Sequence, residues 1–206
     1  MNSPDNYFTI KNRAETELKI KGSKFVGQAE QCTTEDEAES FLNSIRKKYY
    51  DASHHCFAFR LGIGKEMKFR FSDAGEPTGT AGKPIYDQIA GKTLTNLIIV
   101  VTRYFGGTKL GTGGLTHAYS ESAAITIEKA GIKEQFITEE VLIKLNYHDY
   151  NLVERLIHKY NGEIRERGVD AVNPFFRIAL RRSLIEEFRY SAIEASSGRV
   201  KFGENS

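Results

Sequence analysis

Residues 96–119 read NLIIVVTRYFGGTKLGTGGLTHAY, and this stretch decides the fold. It opens with a nearly continuous apolar run, Asn96 to Thr102, which predicts a central strand covered on both faces. A glycine-rich segment follows, and then a helix predicted from Gly113 or Gly114 that ends at Gly131. Glycine is used where φ is positive or where another group approaches the main chain closely. The sequence therefore predicts a strand–turn–helix unit whose turn has an unusual backbone.

Upstream of this unit the chain alternates helical and extended patterns. Thr34 and Glu37 fit a capping box, which predicts an amphipathic helix from Thr34 to Tyr50. Two strands of a hairpin follow, His55–Arg60 and Met67–Phe71. In the second strand, alternation places the apolar residues in the core and the bases in water. The apolar residues are Met67, Phe69 and Phe71, and the bases are Lys68 and Arg70.

The rest of the chain has a different organisation. From Val141 to Phe202 the patterns follow the order βαββαβ, which is the ferredoxin-like order. The first part mixes hairpin strands with helices, so the fold class is α+β. The sequence predicts two domains, residues 1–135 and residues 138–206.

Composition limits the class of protein. The chain has 206 residues and a net charge of +2, without the strong basic excess typical of a nucleic-acid-binding domain. Its two cysteines, Cys32 and Cys56, are too few for a disulfide framework and favour a reducing cytoplasm. No apolar run is long enough to cross a membrane, and the first residues lack a signal-peptide pattern. We expect a cytoplasmic protein without a membrane partner.

The glycine-rich segment is the strongest candidate for a site. Main-chain N–H groups at the start of a helix, without side chains in the way, bind anions readily. The spacing fits neither a P-loop nor G-x-G-x-x-G, so the alternatives are a structural turn and a phosphate or polyanion contact. Eight bases and four acids lie between Arg60 and His117, so the region is more basic than the whole chain. The predicted anion or nucleic-acid site comprises Lys68, Arg70, Arg103, Tyr104, Phe105, Gly106, Gly107, Thr108, Lys109, Gly111, Gly113 and Gly114.

Other polar residues have weaker patterns. Asp73 and Glu76 could act as a carboxylate pair or hold a divalent metal, but Asp-Ala-Gly-Glu-Pro is also typical of a turn, which is the favoured interpretation. His54, His55 and Cys56 are neighbours on a strand whose side chains alternate between faces, so no metal site is predicted there. We expect no cofactor and no catalytic residue. Asp73, Glu76 and His117 form a secondary candidate site.

Several motifs resemble those of one known family. The runs GSKFVG, DASHHCFAFRLG, SDAGEPTGTAGKPIYDQI and NLIIVVTRYFGGTKLGTGGLTHAYSESA are similar to the IMPACT family of YigZ-like bacterial proteins, over Gly22 to Gly131. The resemblance implies an N-terminal domain with the ribosomal protein S5 domain 2-like fold. It also implies a C-terminal domain similar to ferredoxin-like modules of elongation factor G. His117 stands where relatives often carry arginine, which would weaken a phosphate contact there.

The implied folds recur in the translation machinery, which leads to a functional hypothesis by analogy. The leading hypothesis is a non-enzymatic RNA- or ribosome-associated protein in translational regulation, with translation factors as further partners. In it Arg103, Lys109 and the loop amides contact phosphate, Lys68 and Arg70 extend the contact, and Tyr104 or Phe105 stacks on a base. One alternative is an enzyme acting on a phosphorylated small molecule, with Asp73 or Glu76 as base or metal ligand. Another is a protein-interaction module.

Overall fold

The computed structural model describes residues 5–170 and 172–203. These divide into two compact units, Tyr7–Gln135 and the residues from Phe136 onward, which group with Asp5 and Asn6. The strands and helices are, in chain order, β1 (Asn6–Ile10), β2 (Ala14–Ile20), β3 (Ser23–Gln31), α1 (Glu35–Lys48), β4 (His54–Leu61), β5 (Lys68–Ser72), α2 (Gly82–Gly91), β6 (Leu97–Tyr104), α3 (Gly111–Ala130), β7 (Ile132–Phe136), β8 (Thr138–Lys144), α4 (Tyr150–Lys159), β9 (Glu163–Asp170), β10 (Asn173–Arg181), α5 (Ile185–Ala195) and β11 (Lys201–Phe202).

The first unit is built on an antiparallel sheet with the strand order β2-β3-β6-β4-β5. β6 lies at its centre, and alternate side chains enter two different cores. Leu97, Ile99 and Val101 pack with residues of α2 and α3, whereas Ile98 and Val100 pack with residues of α1. The prediction of a central strand covered on both faces is confirmed. β1 and β7 pair separately in a two-stranded sheet.

Helix α1 begins as the sequence predicts. The Thr34 hydroxyl accepts a hydrogen bond from the backbone N–H of Glu37, and the Glu37 side chain returns a hydrogen bond to the backbone of Thr34. This capping box satisfies donors that the first turn leaves without helical partners. The buried residues of α1 are Ala38, Phe41, Leu42 and Ile45. Their spacing puts one apolar stripe on the sheet, so burial of that stripe stabilises a helix that would be marginal alone.

The edge strand β5 differs from its prediction. Phe69 and Phe71 are 51% and 39% exposed, so they do not enter the core. They pack instead beside Tyr86 of α2, with ring centroids 4.8 Å and 5.8 Å from the Tyr86 ring. An edge strand has a neighbour on one side only, so alternation there does not guarantee burial. Lys68 and Arg70 face α1, as the strand period requires.

The second unit has the predicted order βαββαβ, from β8 to β11. Its antiparallel sheet has the strand order β11-β8-β10-β9, and its core includes Ile143, Phe176, Ile178 and Phe188. Among residues 5–170 and 172–203, no helix is long and apolar enough to span a bilayer.

Candidate nucleic-acid interface

Arg103, at the end of β6, lies in a buried polar cluster. Its side chain is 6% exposed, and its Nη1 donates to Glu76 Oε1 at 2.7 Å. Its Nη2 donates to the hydroxyl of Ser23 at 3.2 Å. Removing one partner of a buried ion pair is strongly destabilising, because the other charge is left buried without compensation. Arg103 therefore supports the fold at this point, and its charge is already neutralised.

Glu76 is the centre of this cluster. Its Oε1 also accepts a hydrogen bond from the hydroxyl of Tyr119 on α3 at 2.8 Å, and His54 Nε2 lies 3.9 Å away. Burial raises the pKa of the Tyr119 phenol far above its usual range, so this hydroxyl stays protonated and donates. The cluster ties the loop after β5 to β6 and α3. Glu76 thus has internal partners on one oxygen and is 3% exposed.

Asp73 holds the loop that leads into α2. Its carboxylate accepts the backbone N–H groups of Gly79, Ala81 and Gly82, at 2.8 Å, 2.9 Å and 2.8 Å. Asp73 therefore stabilises a turn, which is the interpretation that the sequence favoured, and both of its carboxylate oxygens accept hydrogen bonds. Within residues 5–170 and 172–203, no group of three or more His, Cys, Asp or Glu side chains is arranged to hold a metal ion.

Cys56 packs beneath the same loop. Its thiol donates to the carbonyl oxygen of Asp73 at 2.9 Å, and the side chain is fully buried. Burial raises the pKa of the Cys56 thiol to about 12. A thiol nucleophile must be deprotonated, so this environment keeps Cys56 unreactive.

The glycines after β6 differ in what constrains them. Gly106 lies against the turn between β2 and β3, where a Cβ added to it would be 1.9 Å from the carbonyl carbon of Gly22. Gly107 and Gly111 have φ values of +85° and +72°, which strain residues with a side chain. Gly113 has neither constraint, because an added Cβ would meet no atom within 4 Å. The main chain at Gly113 is therefore open to approach from outside.

Helix α3 begins at Gly111, two or three residues before its predicted start at Gly113 or Gly114, and Gly131 ends it as predicted. Leu110 at its N-cap makes no side-chain capping hydrogen bond, and the first turn carries no acid. The first N–H groups of a helix have no helical acceptors, and the helix dipole is positive at that end. The Gly-Thr-Gly-Gly start of α3 thus presents free donors and a positive potential beside an exposed Lys109.

Two lysines that the sequence did not single out join this surface. β3 pairs with β6 so that Lys24 lies directly opposite Tyr104, and the Lys24 ammonium is 4.5 Å from the Tyr104 ring centroid. Lys21 precedes Gly22 in the turn that packs on Gly106. Within residues 5–170 and 172–203, no carboxylate lies within 4.0 Å of Lys21, Lys24 or Lys109.

Two aromatic residues complete the surface. Phe105 is 51% exposed, and the guanidinium of Arg103 lies 5.6 Å from its ring centroid. The Tyr104 hydroxyl donates to Asp51 at 2.8 Å, and burial together with this bond raises the pKa of Tyr104 to about 12. We call this set the β6–α3 surface; it comprises Lys21, Lys24, Tyr104 to Lys109, Gly111, Gly113 and Gly114. It combines cations without carboxylate partners, an exposed ring and open amides, which are the groups that contact a nucleic-acid strand.

Lys68 and Arg70 do not join the β6–α3 surface. Through β4, Arg70 lies level with Ile98, five residues before Arg103, which is about 17 Å along a strand. Both bases are also paired across to α1, Lys68 with Glu35 at 3.3 Å and Arg70 with Glu39 at 3.1 Å. The predicted basic track along this hairpin therefore does not extend from the glycine segment.

His117 and the two acids of the secondary candidate site also separate. His117 is exposed on α3 and lies 3.3 Å from Glu121, one turn further along. Asp73 and Glu76 have the internal partners described above. The three side chains serve three different contacts and do not form one site.

Comparison with known proteins finds a family match within the first unit. The model of the Impact N-terminal domain matches residues 21–127. An IMPACT family member of Haemophilus influenzae is 34% identical over 197 residues, which cover 94% of each chain. The chain belongs to the IMPACT family. YigZ of Escherichia coli, another IMPACT family member, is 32% identical over 183 residues, covering 88% of this chain and 89% of YigZ.

A solved structure is similar to this chain over nearly all of its length. A crystal structure of a hypothetical protein superimposes with a TM-score of 0.72 at 28% identity, covering 98% of each chain. The match to the Impact N-terminal domain begins at Lys21 and ends at Ile127. The IMPACT domain therefore contains the entire β6–α3 surface, including the two lysines that sequence reasoning missed.

Proposed function

We propose that this IMPACT protein is a non-enzymatic, cytoplasmic RNA- or ribosome-associated protein that acts in translational regulation, and that it binds phosphate through the β6–α3 surface. The observation that carries the proposal is that Lys21, Lys24 and Lys109 lack carboxylate partners among the described residues. Ammonium groups without carboxylate partners are available to phosphate. Phosphate contacts supply most of the affinity of sequence-independent nucleic-acid binding.

Each part of the surface has its own role in this proposal. Lys24 and Lys109 contact successive phosphates, and the amides at the start of α3 donate to a phosphate oxygen. Phe105 stacks on a base. The phosphate contact that the sequence predicted for Arg103 is not part of this proposal, because the guanidinium of Arg103 is bound to Glu76 and Ser23. Arg103 instead fixes the end of β6, from which Phe105 and the glycine segment extend.

The link to translation depends on an analogy of fold. The order βαββαβ with the sheet order β11-β8-β10-β9 supports the ferredoxin-like label that the family resemblance implied. We infer from it an association with ribosomes or translation factors. The first unit keeps the proposed label of a ribosomal protein S5 domain 2-like fold. Fold alone does not determine function, so the β6–α3 surface carries the argument.

The enzyme alternative has less support from the same residues. A general base needs a carboxylate free to accept a substrate proton. Asp73 uses both oxygens on backbone donors, and Glu76 is held by Arg103 and Tyr119. The alternative of a protein-interaction module predicts that the protein tolerates charge reversal at Lys109.

The test is binding of a labelled structured RNA and of purified ribosomes by the full chain and two variants. The first variant, Lys24→Glu/Lys109→Glu, reverses two charges of the β6–α3 surface. The matched control, Lys65→Glu/Lys92→Glu, reverses two exposed lysines near the other end of β6. We expect salt-sensitive binding that is lost in the first variant and kept in the control. Equal binding by all three proteins, or none, would remove the proposal.

A further inference from the structure

A cavity of about 510 Å³ lies in the second unit, where β8 ends and β11 begins. Its polar lining consists of three bases, two amides and one carboxylate: Lys144, Arg199, Lys201, Asn146, Asn173 and Asp170. The volume falls within the range of pockets that hold small ligands, about 300–1,000 Å³. The lining suits an anion better than an apolar molecule.

Two of these bases occupy directly opposite positions on neighbouring strands. Lys201 on β11 lies directly opposite Lys144 on β8. Like charges at directly opposite positions of an antiparallel pair destabilise a sheet. Lys144 lies 3.3 Å from Asp170, but both side chains are more than half exposed, and such a pair contributes little. Lys201 has no carboxylate within 4.0 Å among the residues that the structure describes.

Arg199 is held rigidly beside them. Its Nε and Nη2 donate to the two carboxylate oxygens of Asp149, at 3.0 Å and 2.8 Å. The Asp149 side chain is 2% exposed, whereas that of Arg199 is 42% exposed. A buried carboxylate thus orients a guanidinium that still reaches the cavity. The bidentate pair leaves Nη1 for another acceptor.

An aromatic side chain lies on the strand next to Lys144, on the side away from Lys201. Phe175 on β10 lies opposite Lys144, and Gly168 on β9 lies opposite Phe175. Lys201, Lys144, Phe175 and Gly168 therefore form one row across all four strands. Ring carbons of Phe175 lie 2.7 Å from where a Cβ on Gly168 would be, so the ring needs glycine beside it. Phe176, the next residue, faces the core.

We propose that this cavity binds a nucleotide, with its phosphate between Lys144 and Lys201 and its base outside the cavity lining, on the neighbouring ring of Phe175. An anion between the two ammonium groups removes their repulsion, so the site is organised for a charge that the free protein lacks. Arg199 and the Asn146 amide add donors to the same phosphate. This second site lies outside the IMPACT domain match and does not depend on the function proposed for the β6–α3 surface.

The test follows backbone amide resonances of Lys144, Asn146 and Lys201 in the ¹⁵N-labelled full chain. The probes are AMP, ribose 5-phosphate and a single-stranded RNA oligomer. We expect saturable shifts with AMP, and an affinity at least about tenfold lower in Lys144→Gln/Lys201→Gln. The matched control, Arg155→Gln/Lys159→Gln, removes two charges from α4 and leaves the affinity unchanged. Phe175→Leu weakens AMP binding and leaves ribose 5-phosphate binding as it was.

The arms separate the sources of the nucleotide. Saturation by AMP identifies a free nucleotide, and saturation by the oligomer alone identifies a nucleotide within a strand; loss of either in Lys144→Gln/Lys201→Gln supports the site. Without ligand, Lys144→Gln/Lys201→Gln should keep the unfolding temperature of the wild type, because removing two like charges at opposite positions offsets the loss of the ion pair between Lys144 and Asp170. If it fails to fold, Lys201→Gln carries the same test. No saturable shift with any probe, or equal affinity in wild type and variant, overturns the proposal.

Discussion

Replacement of Arg103 by methionine tests whether this residue supplies a buried ion pair and not a surface charge. Methionine is flexible and fills the site without a charge. In the variant, the Glu76 carboxylate loses the donor at 2.7 Å and keeps the Tyr119 hydroxyl at 2.8 Å. Its side chain is 3% exposed, so water does not replace the lost partner. Breaking a buried pair in this way costs about 3–5 kcal/mol, and we expect the free energy of unfolding to fall by that amount.

A double-mutant cycle isolates the interaction. Arg103→Met/Glu76→Gln leaves no buried charge, so its loss of stability should be smaller than the sum of the two single losses, by about 1–3 kcal/mol. Urea denaturation followed by far-UV circular dichroism measures all four proteins. Lys24→Met is the control for a base on the same strand pair, and it should change stability by less than about 0.5 kcal/mol. A loss below about 1 kcal/mol for Arg103→Met, or additive single losses, would refute the ion pair as the role of Arg103.

Three further predictions test separate features. Gly106→Ala should lower the free energy of unfolding by about 1–3 kcal/mol through overpacking, whereas Gly113→Ala should raise it by about 0.5–1 kcal/mol because alanine favours a helix more than glycine does. Urea denaturation measures both changes, and equal effects would contradict the different constraints described for these two glycines. Because the hydrogen bond from Arg199 lowers the pKa of Asp149, the stability difference between wild type and Arg199→Gln should be complete above about pH 5 and shrink as pH falls below about 4. A pH-independent difference in thermal unfolding would count against that pair. Phe105→Ala should weaken RNA binding by about 1–3 kcal/mol with stability nearly unchanged, and unchanged affinity in an anisotropy titration would exclude stacking by this ring.

Local patterns predicted the elements of this fold well. The capping box at Thr34 located the start of α1, because its hydrogen bonds join residues only three apart. The apolar run of β6 required two covered faces, and the sheet provides them. The βαββαβ order of the second unit followed from hydrophobic periodicity. In each case the information lies within one segment of the chain.

The site was harder to predict because it depends on pairings between distant segments. Glu76 neutralises Arg103 from 27 positions away, and no local pattern reveals that contact. Lys24 reaches the surface only because β3 pairs with β6, 80 positions further along, and the sequence shows neither the partner strand nor the register. Conversely, the sequence groups Lys68 and Arg70 with the glycine segment because all lie in the basic region from Arg60 to His117, but the sheet order separates the two bases from that segment. The one available signal for Lys21 and Lys24 was Gly22, a glycine that another backbone had to approach.

The central claim is that the β6–α3 surface binds the phosphates of RNA, and the salt dependence of binding tests it most directly. The logarithm of the binding constant for one structured RNA is measured against the logarithm of salt concentration for three proteins. They are the wild type, Lys24→Glu/Lys109→Glu and the control Lys65→Glu/Lys92→Glu. Each phosphate contact contributes about 0.7–0.9 to the slope, so loss of two contacts should reduce it by about 1.4–1.8 in the surface variant and leave the control at the wild-type slope. An unchanged slope in the surface variant, or an equal reduction in the control, would contradict the account.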